Sequence, residues 1–235
     1  MTQLLISVKD VAEANIAMEN GADIIDLKDP DSGALGALPI SAIEAIINFV
    51  AGRKQTSATI GDFPMHPELI KNGIVRLQKF PLNFIKIGFF EADDYQSCLN
   101  EVKKLVTMHL QSTHQKLPQF IAVLFAENNY PEDLLIRIKQ AGFSGVMLDT
   151  LNKNGKTYLD HYSESELEVL RHAALSNNLA FGMAGSLQFK HIDSSLKLKP
   201  EFLGFRGGVC EDNLRQQPLS AKKICDINKF LQMVV

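Results

Sequence analysis

Short apolar runs and amphipathic stretches alternate along the whole chain, and this alternation predicts the fold. Eight runs have strand length: QLLISV (3–8), DIIDLK (23–28), QTSATIG (55–61), NFIKIGF (83–89), QFIAVLF (119–125), GVMLDT (145–150), LAFGMAG (179–185) and EFLGFRG (201–207). Stretches with helical spacing lie at 9–20, 40–51, 67–79, 92–111, 131–141, 164–177, 187–198 and 219–233. Repeated strand–helix units are typical of a parallel sheet. Eight units in 235 residues favour an α/β protein, a single-domain (β/α)₈ TIM barrel over residues 1–235.

An open, doubly wound sheet is the competing architecture. In that fold the turn after the first strand carries a glycine-rich phosphate fingerprint, and none follows residues 3–8 here.

Helix starts are predicted from a serine placed three residues before an acidic residue, the spacing of a capping box. This spacing occurs at Ser7–Asp10, Ser41–Glu44 and Ser163–Glu166.

Charged side chains stand at the ends of three predicted strands. Asp26 and Lys28 close the second strand, Lys86 lies in the fourth, and Asp149 ends the sixth with Lys153 shortly after it. Strand side chains alternate between faces, so Asp26 and Lys28 share the face opposite their apolar neighbours. In a TIM barrel that face is the interior, and the carboxyl ends of the strands form the active-site mouth.

A lysine inside a barrel indicates carbonyl chemistry. Burial and a second ammonium both lower the pKa of an amine, and a neutral amine can form a Schiff base. Lys28 and Lys86 supply two such amines, and Asp26 and Asp149 could assist proton transfer. The alternative is a structural ion pair, for example between Asp26 and Lys86.

Glycine-rich turns after the last two strands predict a phosphate site. Gly185 and Ser186 end the seventh strand, and Arg206, Gly207 and Gly208 end the eighth. TIM barrels often bind a substrate phosphate through backbone N–H groups of these two loops. Arg206 could add charge, or could instead pair with a barrel carboxylate. The glycines could also serve only to make tight turns.

Two further loops are open to more than one interpretation. Residues 29–37 could fold over the site as a lid or form a plain solvent loop. Asp62 is either a supporting partner of the site or a turn residue. Six histidines, including His109 and His114, show no metal-ligand spacing, and Asp160–His161 is a weaker candidate for the mouth.

Composition narrows the function further. The net charge of −3 offers no basic surface for nucleic acid, and no segment is apolar enough to span a bilayer. Three scattered cysteines and an N-terminus without signal features predict a cytoplasmic protein. We expect no cofactor and no metal, and a small-molecule substrate as the main partner; the sequence leaves a homo-oligomer open.

Seven segments together resemble the (5-formylfuran-3-yl)methyl phosphate synthase family, also called 4-(hydroxymethyl)-2-furancarboxaldehyde-phosphate synthase. They are SVKDVAEA (7–14), NGADIIDLKDPDSGALGA (20–37), SATIGDFP (57–64), FIKIGF (84–89), MLDT with NKNGKTYLDH (147–161), MAGS (183–186) and GFRGGVC (204–210). The resemblance covers essentially the whole chain. It departs at Met183, where leucine is usual, and over residues 89–118, which match poorly.

The resemblance implies a TIM-barrel lyase of methanofuran biosynthesis. Such an enzyme condenses two molecules of glyceraldehyde 3-phosphate, a triose phosphate, into a furan aldehyde phosphate and releases phosphate and water. The family's Schiff-base lysine falls on Lys28 and its proton-transferring lysine on Lys86. Its supporting aspartates fall on Asp26 and Asp149, and its third lysine on Lys153, with Lys156 as a nearby rival.

These roles predict a mechanism. The imine on Lys28 acts as an electron sink, and Lys86 moves protons with the help of Asp26. Carbon–carbon bond formation, phosphate elimination, ring closure and dehydration follow. The alternatives are another imine-forming phosphosugar aldolase on the same barrel, or a non-catalytic barrel that binds a phosphorylated metabolite.

Overall fold

Parallel strands form one closed barrel in the computed structural model, which describes residues 2–112 and 117–234, with the backbone alone at 109–112. The strands are β1 (Gln3–Val8), β2 (Ile24–Leu27), β3 (Gln55–Thr59), β4 (Phe84–Phe89), β5 (Gln119–Phe125), β6 (Gly145–Asp149), β7 (Ala180–Met183) and β8 (Phe202–Phe205). Each pairs with the next, and β8 pairs with β1 to close the ring. The predicted TIM barrel is confirmed, and closure excludes the open sheet.

Helices follow the strands in the order that the sequence predicts. They are α1 (Val11–Glu19), α2 (Ile40–Val50), α3 (Pro67–Leu77), α4 (Gln96–Ser112), α5 (Leu134–Gln140), α6 (Glu164–Ser176), α7 (Ile192–Lys197) and α8 (Ala221–Met233). The segment after β7 is the shortest, a 3₁₀ turn at Phe189–His191 followed by α7. Across the described ranges, no helix is long and apolar enough to cross a bilayer.

One of the three predicted capping boxes is confirmed. Ser163 and Glu166 exchange hydrogen bonds at the start of α6. At α1 the cap is instead Asp10, whose carboxylate accepts from the backbone N–H of Glu13. Helix α2 begins after Pro39 without a side-chain cap. The prediction for Ser7 was wrong because this serine lies inside β1, where its hydroxyl faces the barrel interior.

Alternating strand positions separate two apolar layers. Ile25 and Leu27 of β2 belong to the layer between strands and helices, whereas Ile24 belongs to the barrel interior. Asp26 and Lys28 are in phase with Ile24, so both point inward, as the sequence predicts. Polar side chains therefore enter the barrel without disturbing the strand–helix core.

The lower end of the barrel is filled by large side chains. The Phe202 ring lies against Gly182, where an added Cβ would be 1.8 Å from the ring. Phe202 packs in the interior cluster with Leu5, Ile24 and Ile121. Because this floor is apolar and tightly packed, a substrate can approach the interior charges from the carboxyl ends of the strands.

Candidate active site

Asp26 stands at the centre of the first charged group in the barrel and has no exposed surface. Lys86 places its Nζ 2.7 Å from Asp26 Oδ2. The Ser7 hydroxyl donates to the same oxygen at 2.7 Å, and the Ser57 hydroxyl donates to Oδ1. Burial alone would raise the pKa of Asp26, but Lys86 and, at longer range, Lys28 hold it below its usual value. We call Asp26, Lys86, Ser7 and Ser57 the Asp26 centre.

The second charged group is built around Asp149 at the end of β6. Lys153 Nζ lies 2.7 Å from Asp149 Oδ1, and Lys28 Nζ lies 3.8 Å from Oδ2. The backbone N–H of Thr150 donates to Oδ1 at 2.7 Å. Burial acts to raise the pKa of Asp149, but Lys153 and then Lys28 outweigh it and lower the pKa. We call Asp149, Lys28 and Lys153 the Asp149 centre.

Among the lysines of the two centres, Lys28 is the one whose pKa is clearly lowered by its environment. Its pKa is lowered from 10.5 to about 7, first because burial penalises the ammonium form. Asp149 opposes this shift, while the nearby ammonium groups of Lys153 and Lys86 reinforce it. Near neutral pH a large fraction of Lys28 is therefore the free amine, which is the form that attacks a carbonyl.

Ser7 and Lys86 of the Asp26 centre, the whole Asp149 centre and the glycine loops line one cavity of about 260 Å³ at the carboxyl ends of the strands. Gly185, Ser186, Gly207 and Gly208 form one side of it. Gly185 has φ +89°, a conformation that favours glycine, and a Cβ there would lie 2.7 Å from the Thr150 nitrogen. The structure thus brings the predicted lysines, aspartates and phosphate loops to one place.

Arg206 lines the same cavity, but its guanidinium is directed toward β1 and α1. Its Nη2 donates to Glu13 Oε1 at 3.0 Å, and its Nη1 donates to the Ser7 carbonyl at 3.1 Å and to Glu13 Oε2. Its Nε donates to the Arg215 carbonyl at 2.7 Å. Of the two sequence interpretations, the geometry favours pairing with a carboxylate over contact with phosphate. The partner is a helix residue, not a barrel carboxylate.

Comparison with known proteins identifies the family. The model of the 4-HFC-P synthase family matches residues 4–228. A putative (5-formylfuran-3-yl)methyl phosphate synthase of Methylorubrum extorquens is 37% identical over 222 residues, 94% of this chain and 88% of that protein. The chain belongs to the (5-formylfuran-3-yl)methyl phosphate synthase family. The synthase of Methanocaldococcus jannaschii is 32% identical over 213 residues, 88% of this chain and 90% of that protein.

Solved structures similar to this member of the synthase family support the fold alone. Phosphoribosyl anthranilate isomerase from Thermus thermophilus superposes with a TM-score of 0.64 at 15% identity, covering 100% of both chains. KGPDC from Streptococcus mutans gives a TM-score of 0.63 at 11% identity, covering 100% of this chain and 99% of that one. The barrel is thus shared with enzymes of quite different sequence.

The synthase resemblance left two lysines as rivals for the third amine, and the geometry separates them. Lys153 lines the cavity and contacts Asp149, whereas Lys156 is exposed and does not line it. Asp160 and His161 are also exposed, and the Asp160 carboxylate accepts from the Thr157 N–H at 2.7 Å. Asp160 therefore caps a 3₁₀ turn and lies outside the cavity.

The sequence interpretation missed two groups that position the charged side chains of this synthase-family site. Ser7 and Ser57 hold Asp26, as described above. The Glu127 carboxylate accepts from the backbone N–H groups of Leu151 and Asn152 at 2.7 and 2.9 Å, which anchors the loop that carries Lys153. Glu127 lies two residues after the end of β5, so its place near a strand end was the available signal.

The loop after β2 is anchored over the mouth. Leu35 is fully buried, and the Thr59 hydroxyl donates to its carbonyl at 2.7 Å. The Asp62 carboxylate accepts from the N–H groups of Ala34 and Leu35, both at 2.6 Å. Of the two interpretations of residues 29–37, the plain solvent loop is wrong. Asp62 acts as the supporting residue that fixes this loop.

No group of three or more His, Cys, Asp or Glu side chains in residues 2–112 and 117–234 is arranged to hold an ion. His114 and the side chain of His109 lie outside the described part of the chain.

Proposed function

We propose that this protein condenses two molecules of glyceraldehyde 3-phosphate into 4-(hydroxymethyl)-2-furancarboxaldehyde phosphate, as a step of methanofuran biosynthesis. The observation that carries the proposal is Lys28, a buried amine whose pKa is about 7, in a cavity shared with a second lysine. Membership of the synthase family supports the same reaction. Two trioses balance one furan phosphate, one inorganic phosphate and two molecules of water.

The first half of the reaction uses the acidity of an imine. The Lys28 amine attacks carbon 1 of one triose, water leaves, and the resulting iminium acidifies the hydrogen on carbon 2. Lys86, held by Asp26 at 2.7 Å, transfers the protons. The electron pair released at carbon 2 returns to expel phosphate from carbon 3.

The second half joins the two trioses. The substitution pattern of the furan calls for a bond between the carbon that lost phosphate and carbon 2 of the other triose. Elimination therefore comes before carbon–carbon bond formation, which reverses the order expected from the sequence. Asp149 and Lys153 orient this second triose, and the glycine loops at 185–186 and 207–208 hold the phosphate that is retained. Ring closure, loss of water and hydrolysis of the imine release the product and restore the Lys28 amine.

Trapping of the imine tests the proposal. The protein is incubated with glyceraldehyde 3-phosphate and borohydride, and the adduct is mapped by mass spectrometry. We expect a reduced adduct on Lys28 and, without borohydride, a product with furan absorbance. The Lys28→Met variant should form neither, because no other lysine stands at the end of β2.

Lys156→Met is the matched control, since Lys156 is an exposed lysine on the loop after β6. It should trap and turn over like the wild type. An adduct on Lys28 without furan product would instead favour another imine-forming aldolase. Binding of the triose phosphate without an adduct or product would favour a non-catalytic barrel.

A further inference from the structure

The cations of the cavity are not all paired in the same way. Lysine and arginine side chains line it at Lys28, Lys86, Lys153, Arg206 and Arg215. Carboxylates lie within 4.0 Å of the first four. Among the described residues, no carboxylate oxygen lies within that distance of Arg215. Lys28 and Lys153 share the Asp149 carboxylate, so Arg215 is the cationic side chain of the cavity that lacks a carboxylate partner among the described residues.

Arg215 is held in place by its backbone and by one hydrogen bond of its side chain. Its carbonyl accepts from Arg206 Nε at 2.7 Å, which fixes the loop between β8 and α8. Its Nη2 donates to the Gly33 carbonyl at 3.0 Å. The side chain thus crosses from the loop after β8 to the loop after β2, and within residues 2–112 and 117–234 its other N–H groups have no hydrogen-bond partner.

The backbone of Arg215 belongs to the same loop after β8 as Gly207, but its guanidinium reaches away from that loop. The glycine loops follow β7 and β8, whereas the Arg215 guanidinium is anchored on the loop that follows β2. Lys28 lies at the end of β2, directly before that loop. The Lys28 amine reaches into the cavity toward Asp149, and both Asp149 and Arg215 line that cavity, so a triose bound to Lys28 as an imine can place its phosphate at the Arg215 guanidinium.

We propose that Arg215 forms a second anion subsite, which binds the phosphate that leaves from the triose held on Lys28. This inference rests on the proposed function and assigns its two phosphates to different places. The retained phosphate lies in the glycine loops, and the departing phosphate lies at Arg215. A guanidinium forms paired, charge-assisted hydrogen bonds with phosphate oxygens, and no other cation of the cavity is free of a carboxylate in the described residues.

The subsite has a chemical role in the elimination step. The bond between carbon 3 and its oxygen breaks, and the electron pair of that bond leaves with the phosphate. Negative charge therefore grows on the phosphate oxygens as the bond breaks, and a fixed guanidinium stabilises it there. The proton from carbon 2 passes to the lysines, so the step needs no oxidant or reductant.

Inhibition by the two phosphate-containing products tests the subsite in the full-length protein. For Arg215→Gln we expect furan formation to fall by about 10²- to 10³-fold, the loss typical of one missing transition-state donor. Inhibition by inorganic phosphate should weaken at least about tenfold, as expected when a charged partner of an anion is lost. Inhibition by the furan phosphate, which binds through the glycine loops, should stay the same.

Three comparisons keep the interpretation specific. Arg137→Gln removes an arginine from a surface pair on α5 and should change neither inhibition constant. Asp62→Asn loosens the loop that anchors the guanidinium but leaves its charge in place, so it should weaken inhibition by inorganic phosphate less than Arg215→Gln does. Added guanidinium ion should restore part of the activity of Arg215→Ala, which a purely structural arginine would not allow.

The assignment is overturned if Arg215→Gln keeps wild-type inhibition by inorganic phosphate, or if Asp62→Asn weakens that inhibition to the same extent. If Arg215→Gln does not fold, Arg215→Lys serves in its place and should weaken phosphate inhibition less than tenfold but measurably. Calorimetric binding of inorganic phosphate to the wild type and the variant needs no turnover. Suppose that the wild type makes no furan product, but binds inorganic phosphate and loses that binding in Arg215→Gln. This result would refute the proposed function and still support an anion subsite at Arg215.

Discussion

The two charged centres of this barrel contain the same chemical groups, lysine and aspartate, but the lysine–aspartate distances differ between them. In the Asp26 centre the ammonium and carboxylate are 2.7 Å apart, and two hydroxyls complete the coordination of the carboxylate. In the Asp149 centre the carboxylate is shared, with Lys153 at 2.7 Å and Lys28 at 3.8 Å. Pairing distance therefore distinguishes Lys86, which is held as an ion partner, from Lys28, whose pKa burial lowers to about 7.

The difference follows from strand geometry. Lys86 and Asp26 lie two strands apart, with Ser57 of β3 between them, so their side chains meet inside the barrel. Lys28 follows β2 and faces Asp149 of β6 from across the mouth. The distance across the ring leaves Lys28 with an incomplete partner, and burial then lowers its pKa to about 7.

The largest expected effect concerns the stability of the two centres. Lys86→Met leaves the buried Asp26 carboxylate without its cation, and we expect the free energy of unfolding to fall by about 3–5 kcal/mol. Lys28→Met removes a buried amine whose carboxylate partner keeps Lys153, so it should not lower this free energy. Urea denaturation of both variants at pH 7 measures the contrast.

Two controls sharpen this contrast. The double variant Asp26→Asn/Lys86→Met removes the orphaned charge and should recover much of the stability lost in Lys86→Met.

Because the folded pKa of Lys28 is below its unfolded value, the unfolded chain binds more protons between about pH 7 and 10.5. Wild-type stability should therefore rise with pH in that window relative to Lys28→Met. Equal losses of stability in both single variants would contradict the assignment of the two centres.

The inward charges were predictable from sequence because they obey a two-residue period. Asp26 and Lys28 alternate with apolar residues along β2 and just beyond it, and Lys86 does the same in β4. The two-residue alternation of strand side chains is therefore enough to place these charges on the inner face of the barrel. The supporting groups have no such signal. Ser57 looks like any strand serine, and Ser7 was assigned to a helix cap because its spacing to Asp10 fits one.

Loop residues were harder to assign because periodicity says nothing about the path of a loop. Arg206 was expected near phosphate, but its partner Glu13 comes from α1, 193 residues away along the chain. Arg215 and Glu127 act through contacts with loops that follow other strands. The barrel and its interior charges are thus encoded locally, whereas the arrangement of the mouth depends on contacts that form only after the ring closes.

A smaller effect concerns the pH dependence of the reaction. The value of kcat/KM for furan formation should rise with pH through about 7, as the Lys28 ammonium loses its proton. Lys153→Met removes a charge that lowers the pKa of Lys28, so the rise should move to higher pH. Asp149→Asn removes the charge that opposes this lowering, so the rise should move to lower pH.

The decisive result is that the pH profiles of kcat/KM for the Lys153 and Asp149 variants shift in opposite directions. General damage to the site would lower the rate without shifting the two profiles apart. Lys156→Met provides the control, because its lysine is exposed and outside the cavity. Its profile should coincide with that of the wild type. Shifts of the same sign in the Lys153 and Asp149 variants would show that Asp149 does not act on Lys28 as a charge.

The smallest expected effect tests whether hydroxyls make the Asp26 centre the tighter of the two. Ser57→Ala removes one donor to the buried Asp26 carboxylate and should lower the free energy of unfolding by about 1–3 kcal/mol. Ser57→Thr keeps the hydroxyl and should retain more of the activity than Ser57→Ala does. Since Asp26 holds Lys86, the alanine variant should lower kcat more than it raises KM. An unchanged kcat would mean that the ion pair alone is sufficient to orient Lys86, and that pairing distance rather than hydroxyl support distinguishes the two centres.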